Sequence, residues 1–280
     1  MIKILVDSAS DIFAEEAEEL GVSLIPMQIR FGTDEYYDGV NLSHTEFFAK
    51  LMQSAELPQT SQINEYRFNE KFEELTADGD DVVAIVLSSK LSGTYECAVR
   101  AAEKFGGKVH VVDSMNASAG EKILCLYALR LAKDGATAEQ IVEELDRKKS
   151  KVRFLALLGT LEYLKKGGRI SSATAAIGKM FSVKPVISIA DGAVKMEGKA
   201  IGSKKGSNLL TKFVDMYGID FDMPYVLVYS GLSDELLDLY VRDSEKLWKN
   251  HANDLPRHLI GSTIGTHIGP DGIGVAFFAK

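Results

Sequence analysis

The sequence lacks the signatures of a metal-dependent protein. It has two cysteines in 280 residues, Cys97 and Cys125, and it contains no CxxC, no HExxH and no cluster of histidines with cysteines. Protein zinc sites are built from ligands at such spacings, so we expect no metal site. Both cysteines lie in apolar helical segments, where a reduced and buried thiol is the usual state.

Long apolar runs, a secretory leader and an excess of positive charge are also missing. No uninterrupted apolar stretch reaches the roughly 18 residues of a membrane span. The N-terminal run 2–6 meets Asp7 too early to form the apolar part of a signal peptide, so we expect a cytoplasmic protein. Forty acidic against 32 basic side chains give a net charge of −8, which argues against a broad nucleic-acid-binding surface.

The common nucleotide-binding and hydrolase motifs are absent as well. There is no Gly-x-x-x-x-Gly-Lys-Ser/Thr loop, and no Gly-x-Gly-x-x-Gly lies between a strand and a helix, so nucleotide binding has little support. A Gly-x-Ser-x-Gly elbow is missing too, because Ser92 precedes Gly93 but lacks the first glycine.

The first half of the chain alternates short apolar runs with helical patterns. The runs 2–6, 82–87 and 109–112 each end in an acidic or serine-rich turn, as buried parallel strands do. Helices are predicted between and after them, over 12–20, 45–51, 66–76, 94–105 and 119–133. This alternation predicts an α/β fold with a parallel sheet that carries helices on its faces.

The second half has a mixed pattern of strands and helices. Strands are predicted over 152–158, 184–190, 193–197, 225–230 and 273–278, and helices over 137–149, 160–166, 172–180, 207–216 and 233–248. We place a domain boundary near residue 155. An N-terminal α/β domain would cover 1–155 and a C-terminal mixed α/β domain 156–280.

Two hydroxyl-rich segments are candidates for binding an anion. Ser92 follows a strand and opens a helix, so it can cap a helix whose first amides favour a carboxylate or phosphate. A plain capping role is the commoner explanation of such a serine. The segment 58–62 is a second hydroxyl-rich loop. If the two segments meet at the carboxyl edge of the sheet, they form a neutral pocket that suits a weak acid.

His267 and Arg169 are the other notable polar residues. His267 lies in a glycine-spaced loop over 264–272, where an imidazole can reach an anion or a proton in transit, although a structural role is the commoner one. Arg169 follows Gly167 and Gly168 at the end of a lysine-rich helix. The glycines and lysines are explained as a helix end, which does not require the arginine.

In this order along the chain, these segments resemble the DegV family of bacterial fatty-acid-binding proteins. The resemblance rests on Thr60-Ser61-Gln62, Leu91-Ser92-Gly93-Thr94-Tyr95, Val112-Asp113-Ser114, 161–171, Lys184-Pro185 and 265–270. It implies a Rossmann-like N-terminal domain with a parallel sheet, a C-terminal mixed domain, and a lipid bound between them. It also implies a FakB-type subunit that is not itself an enzyme. Such a subunit presents the carboxylate of palmitate, stearate or oleate to a separate kinase, which carries ATP and Mg²⁺ and forms acyl phosphate.

The resemblance also assigns roles to individual residues. Six residues would surround the carboxylate, namely Thr60, Ser61, Ser92, Gly93, Thr94 and His267. Two residues, Arg169 and Lys166, would lie on the face that meets the kinase. No cofactor other than the bound fatty acid is implied.

The chain departs from the family pattern at three positions. Ile63 replaces a common proline, Asp271 interrupts a Gly-Pro-Gly run, and Ile201 stands where an arginine is usual, which bears on kinase coupling more than on lipid binding. Two alternatives stay open. One is a hydrolase or acyltransferase that uses Ser92 with His267, and the other is a binding protein for a different carboxylate, such as a retinoid or an aromatic acid.

Overall fold

The computed structural model describes residues 1–170, 183–248, 251 and 254–280. The helix predicted over 172–180 lies outside these described residues. Within them, no helix is both long and apolar enough to cross a membrane.

The described residues form thirteen strands and eleven helices, apart from single 3₁₀ turns. The strands are β1 Ile2–Asp7, β2 Ser23–Ile25, β3 Gln28–Phe31, β4 Asp34–Tyr37, β5 Gln59–Ser61, β6 Asp81–Val86, β7 Val109–Asp113, β8 Val152–Leu157, β9 Val183–Ala190, β10 Ala193–Ile201, β11 Tyr225–Ser230, β12 Arg257–Leu259 and β13 Gly272–Phe278. The helices are α1 Ala14–Leu20, α2 His44–Gln53, α3 Glu65–Thr76, α4 Thr94–Ala102, α5 Ala119–Lys133, α6 Ala138–Lys148, α7 Glu162–Lys166, α8 Ser203–Tyr217, α9 Glu235–Asp243, α10 Glu245–Trp248 and α11 Ser262–Ile268.

The first sheet is parallel and has the strand order β2-β1-β6-β7. The three strands predicted for it from apolar runs are confirmed. β6 is buried from Val82 to Val86, as expected of a strand covered on both faces. At the carboxyl edge of this sheet, β1 leads into a 3₁₀ turn and β6 leads into the segment before α4, so polar residues of two loops gather there.

The second sheet is mixed and has the order β10-β9-β8-β13-β11-β12, with only β11 and β12 parallel to each other. The five strands predicted in this half are confirmed, although β10 continues to Ile201. β8 belongs to this sheet from Val152 onwards. The boundary near residue 155 therefore falls inside a strand, and the domain division stays a prediction.

A third, small sheet was not predicted. It is antiparallel with the order β4-β3-β5, and it includes Gln59–Ser61. The prediction of a loop over 58–62 is therefore wrong for these three residues, because Thr60 pairs with Ile29 and Ser61 with Gln28. A polar strand of three residues shows no alternation. Only its pairing with β3 defines it.

Helix α5 lies between the two large sheets. It contacts β1 and β6 of the first sheet and β8, β11 and β13 of the second. Its side chains Ile123, Leu124 and Ala128 are fully buried in one apolar core that includes residues of both sheets. The two sheets are therefore joined by a shared core.

His267 lies on a helix, and the prediction of a glycine-spaced loop over 264–272 is wrong for residues 264–268, which belong to α11. The N-terminus of α11 is capped by Asp38, whose carboxylate accepts from the amides of Ser262 at 3.2 Å and Thr263 at 3.0 Å. A cap from so remote a residue leaves no local signal in the sequence. Gly265 is needed because a Cβ there would come within 3.0 Å of the Phe47 and Phe48 rings.

Candidate functional site

A cavity opens between the large sheets, next to the third sheet and α11, and encloses about 670 Å³ of empty space including its open mouth. Its apolar wall consists of Met27, Leu87, Leu91, Ala117, Phe154, Leu164, Ile187, Ile189, Val194, Ile264 and Ile268. A polar group at the cavity, which we call the polar cluster, consists of Thr60, Ser61, Gln62, Ser92, Arg169 and His267.

Thr60 and His267 are joined by a hydrogen bond. The pairing of β5 with β3 positions Thr60, and α11 carries His267 in its last turn. Thr60 Oγ1 lies 2.9 Å from His267 Nε2. Two residues far apart in the chain are thus held together at the wall of the cavity.

His267 is neutral at physiological pH. Burial lowers its pKa to about 4, and the positive charge of Arg169 adds to this effect. Nδ1 is buried and has no hydrogen-bond partner among the described residues. A neutral imidazole has one N–H, and if Nε2 donates to Thr60, the Thr60 hydroxyl hydrogen is free to bind an anion.

Gly167 makes room for this imidazole. A Cβ at Gly167 would come within 3.0 Å of His267 Nδ1. The next residue, Gly168, has φ +71° and ends α7, so the predicted glycine helix end is confirmed. The two glycines therefore have different functions: the first allows close packing, and the second the turn.

Ser92 lies before α4, and the prediction that it is the N-cap residue is wrong. Gly93 occupies that position. Ser92 Oγ accepts from the Thr94 amide at 3.3 Å and lies 2.9 Å from Thr94 Oγ1. When the Thr94 hydroxyl donates to Ser92, the Ser92 hydroxyl hydrogen is left for a ligand.

The two hydroxyl-rich segments meet, although 59–61 belongs to the third sheet and not to the edge of the parallel sheet. The Ile63 amide donates to Thr94 Oγ1 at 3.3 Å, and a Cβ at Gly93 would come within 3.0 Å of the Gln62 side chain. Thr94 is fully buried and does not line the cavity. Its hydroxyl and amide are both engaged within the protein, so it supports Ser92.

Arg169, which the resemblance assigns to the face that meets the kinase, also lines the cavity. Its Nη1 donates to the Gly167 carbonyl at 2.6 Å and its Nε to the Leu91 carbonyl at 3.3 Å. Partial burial lowers the pKa of Arg169. Lys166 is exposed on α7, where its Nζ lies 2.7 Å from Glu162 Oε1. Ile201 is 61% exposed at the end of β10.

The geometry does not form a serine–histidine–acid triad. His267 bonds to Thr60, and its Nδ1 lacks a carboxylate partner among the described residues. No group of three or more His, Cys, Asp and Glu in that part of the chain could hold a metal ion. Cys97 and Cys125 are free and buried, as predicted.

Asp11 supports the site, which the sequence analysis did not predict. Its carboxylate accepts from the Gly261 amide at 2.8 Å and from the hydroxyl of Ser118. Burial raises the pKa of Asp11 to about 7, against the effect of these two hydrogen bonds. The only sequence signal was its place in the acidic turn after β1.

The comparisons with known proteins agree with the fold. The DegV family model matches residues 1–280. A DegV domain-containing protein of Caldanaerobacter subterraneus is 34% identical over 281 residues, which is 100% of this chain and 99% of that protein.

Solved structures are similar over the full length. A DegV family protein from Thermus thermophilus, described as fatty acid binding, is 29% identical with a TM-score of 0.86, and covers 100% of this chain and 99% of its own. A stearic acid-binding protein from Eubacterium ventriosum is 26% identical with a TM-score of 0.86 and the same coverage. DegV of Bacillus subtilis, a fatty acid binding protein, is 27% identical with a TM-score of 0.81, again with the same coverage. From its sequence and its fold, the chain belongs to the DegV family.

Proposed function

We propose that this protein binds one long-chain fatty acid, such as palmitate, stearate or oleate, in the cavity between its two sheets. The observation that carries the proposal is a cavity wall that is mainly apolar and also carries the polar cluster. A fatty acid likewise combines an apolar tail with a carboxylate. Three similar structures, from Thermus, Eubacterium and Bacillus, are of proteins that bind fatty acids.

The apolar wall supplies the binding energy in this proposal. Each methylene moved out of water contributes about 0.8 kcal/mol, so roughly 14 methylenes contribute on the order of 11 kcal/mol before ordering costs. Side chains of both sheets contact the tail, including Phe154 and Ile187 of the second sheet and Leu87 after β6. The tail then becomes part of the shared core.

The polar cluster holds the carboxylate. A buried carboxylate needs hydrogen-bond donors, and Thr60, Ser61 and Ser92 supply hydroxyls while Arg169 supplies positive charge nearby. The Gly93 amide at the start of α4 is a further donor. His267 acts through Thr60, whose hydroxyl it orients. Neutral hydroxyls leave one carboxylate oxygen able to react, whereas a bidentate arginine would engage both.

We further propose that the protein is the non-catalytic subunit of a fatty acid kinase system. A separate kinase subunit would bind ATP and Mg²⁺. The free carboxylate oxygen would then attack the γ-phosphorus, forming an acyl phosphate as the bond to ADP breaks. The exposed Lys166 and the accessible part of Arg169 would face that subunit. We also propose that the chain divides into two domains, 1–155 and 156–280.

Titration of delipidated protein with palmitate, stearate and oleate tests the binding proposal, with saturation at one acid per chain as the expected result. Failure of all three acids to bind would refute it.

The kinase proposal needs a second assay, with a bacterial fatty acid kinase subunit, ATP labelled at the γ-phosphate and the loaded protein. Lys166→Glu should retain palmitate but give slower acyl phosphate formation. Lys246→Glu, the same charge change on α10 away from the cavity, should behave as wild type. Equal rates for both variants would contradict the assigned surface.

A further inference from the structure

Besides the apolar wall and the polar cluster, two buried hydroxyl side chains line the cavity, and the carboxylate site does not use them. Ser118 is 0% exposed and Thr263 is 3% exposed, and both line the cavity. A cavity that holds only hydrocarbon gains nothing from buried hydroxyls, which cost free energy unless they are paired. The cost of burying these two hydroxyls therefore depends on their hydrogen-bond partners.

Ser118 and Thr263 are neighbours because Asp11 holds both of their segments. One oxygen of Asp11 accepts from the Ser118 hydroxyl, and the other accepts from the Gly261 amide at 2.8 Å. Thr263 follows Gly261 by two residues in the first turn of α11. Ser8, whose carbonyl accepts from the Asp11 amide, places its Oγ 3.4 Å from Thr263 Oγ1.

The hydroxyl hydrogens here outnumber their acceptors. Ser8 Oγ accepts from the Met27 amide at 3.0 Å and makes a single contact with Thr263 Oγ1. That contact uses one of the two hydroxyl hydrogens of the pair, and the other has no acceptor among the described residues. Ser118 gives its hydrogen to Asp11, so its oxygen keeps lone pairs that can accept. Ser8 does not line the cavity, so when Ser8 donates to Thr263, the Thr263 hydroxyl hydrogen and the Ser118 oxygen are left unused at the cavity wall.

A hydroxyl group matches this pair of unused groups. It can accept from the Ser8–Thr263 pair and donate to Ser118, whereas a methylene can do neither and a carbonyl can only accept. Thr263 precedes His267 by four residues on α11, about 6 Å along the helix axis. This distance puts the matching group a few carbons from the carboxylate.

We propose that Thr263 and Ser118 form a second polar subsite, which binds a hydroxyl group carried on the acyl chain a few carbons from the carboxyl end. The proposal rests on the proposed fatty-acid-binding function. It extends the ligand class from plain fatty acids to hydroxylated ones.

Competition binding tests it with stearic acid and three isomers that carry one hydroxyl near the carboxyl end, at mid-chain or near the methyl end. Wild type should bind the first isomer about tenfold more tightly than the third, as expected for two net hydrogen bonds. Thr263→Val has nearly the same shape but no hydroxyl. It should lose this preference and keep its affinity for stearic acid, while Thr263→Ser should retain the preference.

Equal binding of all isomers by wild type, or an unchanged preference in Thr263→Val, would overturn the subsite alone. Failure of stearic acid to bind would overturn the proposed function instead. If Thr263→Val does not fold, the crystal structure of wild type with the preferred isomer decides. The ligand hydroxyl should lie within hydrogen-bond distance of Thr263 and Ser118, and a hydroxyl bound elsewhere contradicts the proposal.

Discussion

Thr60 Oγ1 and His267 Nε2 lie 2.9 Å apart, although 207 positions separate them in the chain. This hydrogen bond joins the third sheet to α11 at the cavity. Two members of the polar cluster are thus held together by a direct contact within the protein.

Removing a hydroxyl from this cluster should weaken binding of the acid. Thr60→Val and Ser92→Ala each delete one donor to a charged group, which contributes about 1.5–3 kcal/mol. We expect a dissociation constant for palmitate roughly 10- to 100-fold higher in each variant, measured by calorimetry on delipidated protein. The methyl ester of palmitate is the control ligand. It has no charged group, and an equal loss of affinity for the ester would show that the variants disturb the tail site.

Gly167 and Gly168 form a matched pair for testing the position of His267. A Cβ at Gly167 meets the imidazole. A Cβ at Gly168 meets nothing within 4 Å, but an alanine there must adopt φ +71°. Gly167→Ala should therefore weaken palmitate binding by displacing His267. Gly168→Ala should lower the unfolding temperature by a few degrees and leave binding unchanged. The reverse pattern would contradict the assigned role of Gly167.

The low pKa of His267 predicts how stability depends on pH. Its pKa is about 4 in the folded protein against an ordinary value of 6.5, so as the pH falls the unfolded chain takes up this proton first. His267 therefore costs stability increasingly as the pH falls from about 6.5 to about 4. Urea unfolding of delipidated protein should show that wild type loses more stability than His267→Gln between pH 7 and 5.

The comparison with His267→Gln is necessary because buried carboxyls act in the opposite direction. Burial raises the pKa of Asp7 to about 6 and that of Asp11 to about 7. Both groups favour the folded state more as the pH falls through these values. Their effects cancel in the difference between wild type and variant, and parallel curves for the two proteins would contradict the neutral imidazole.

Glu121 predicts a pH dependence of its own. Burial raises its pKa well above the ordinary value of 4.5, and the charges of Asp7, Asp11 and Asp113 add to this. Neither carboxyl oxygen has a partner among the described residues. Above pH 4.5 the unfolded chain releases a proton that the folded protein keeps, so wild type becomes less stable relative to Glu121→Gln as the pH rises.

Urea unfolding between pH 5 and 8 measures this gain in the stability of Glu121→Gln over wild type. The exposed Glu18→Gln should show no such trend. A constant difference between wild type and Glu121→Gln across this range would mean that Glu121 is ionised in the folded state.

Local patterns predicted most of the elements. The apolar runs of β6 and, from Ile4 onwards, of β1 are buried, β7 at the sheet edge is partly buried, and the bounds of α5 agree with the prediction. The position of Ser92 after β6 followed from the rule that polar loops gather at the carboxyl edge of a parallel sheet. Such features are encoded close to where they act.

The features that the sequence did not reveal depend on distant partners. β5 is defined by its pairing with β3, and the N-terminus of α11 is capped by the carboxylate of Asp38. The cavity results from how two sheets pack, and Arg169 reaches it because Gly168 turns the chain at the end of α7. No periodicity or motif near these residues carries that information.

Native mass spectrometry of the protein as purified from bacterial cells, followed by denaturation and analysis of the released lipid, tests the central claim most directly. The structure predicts one long-chain fatty acid per chain in the wild type and a reduced fraction of loaded protein in Thr60→Val. A wild-type protein that is empty as purified, and that stays empty after incubation with palmitate, stearate and oleate, would contradict the account.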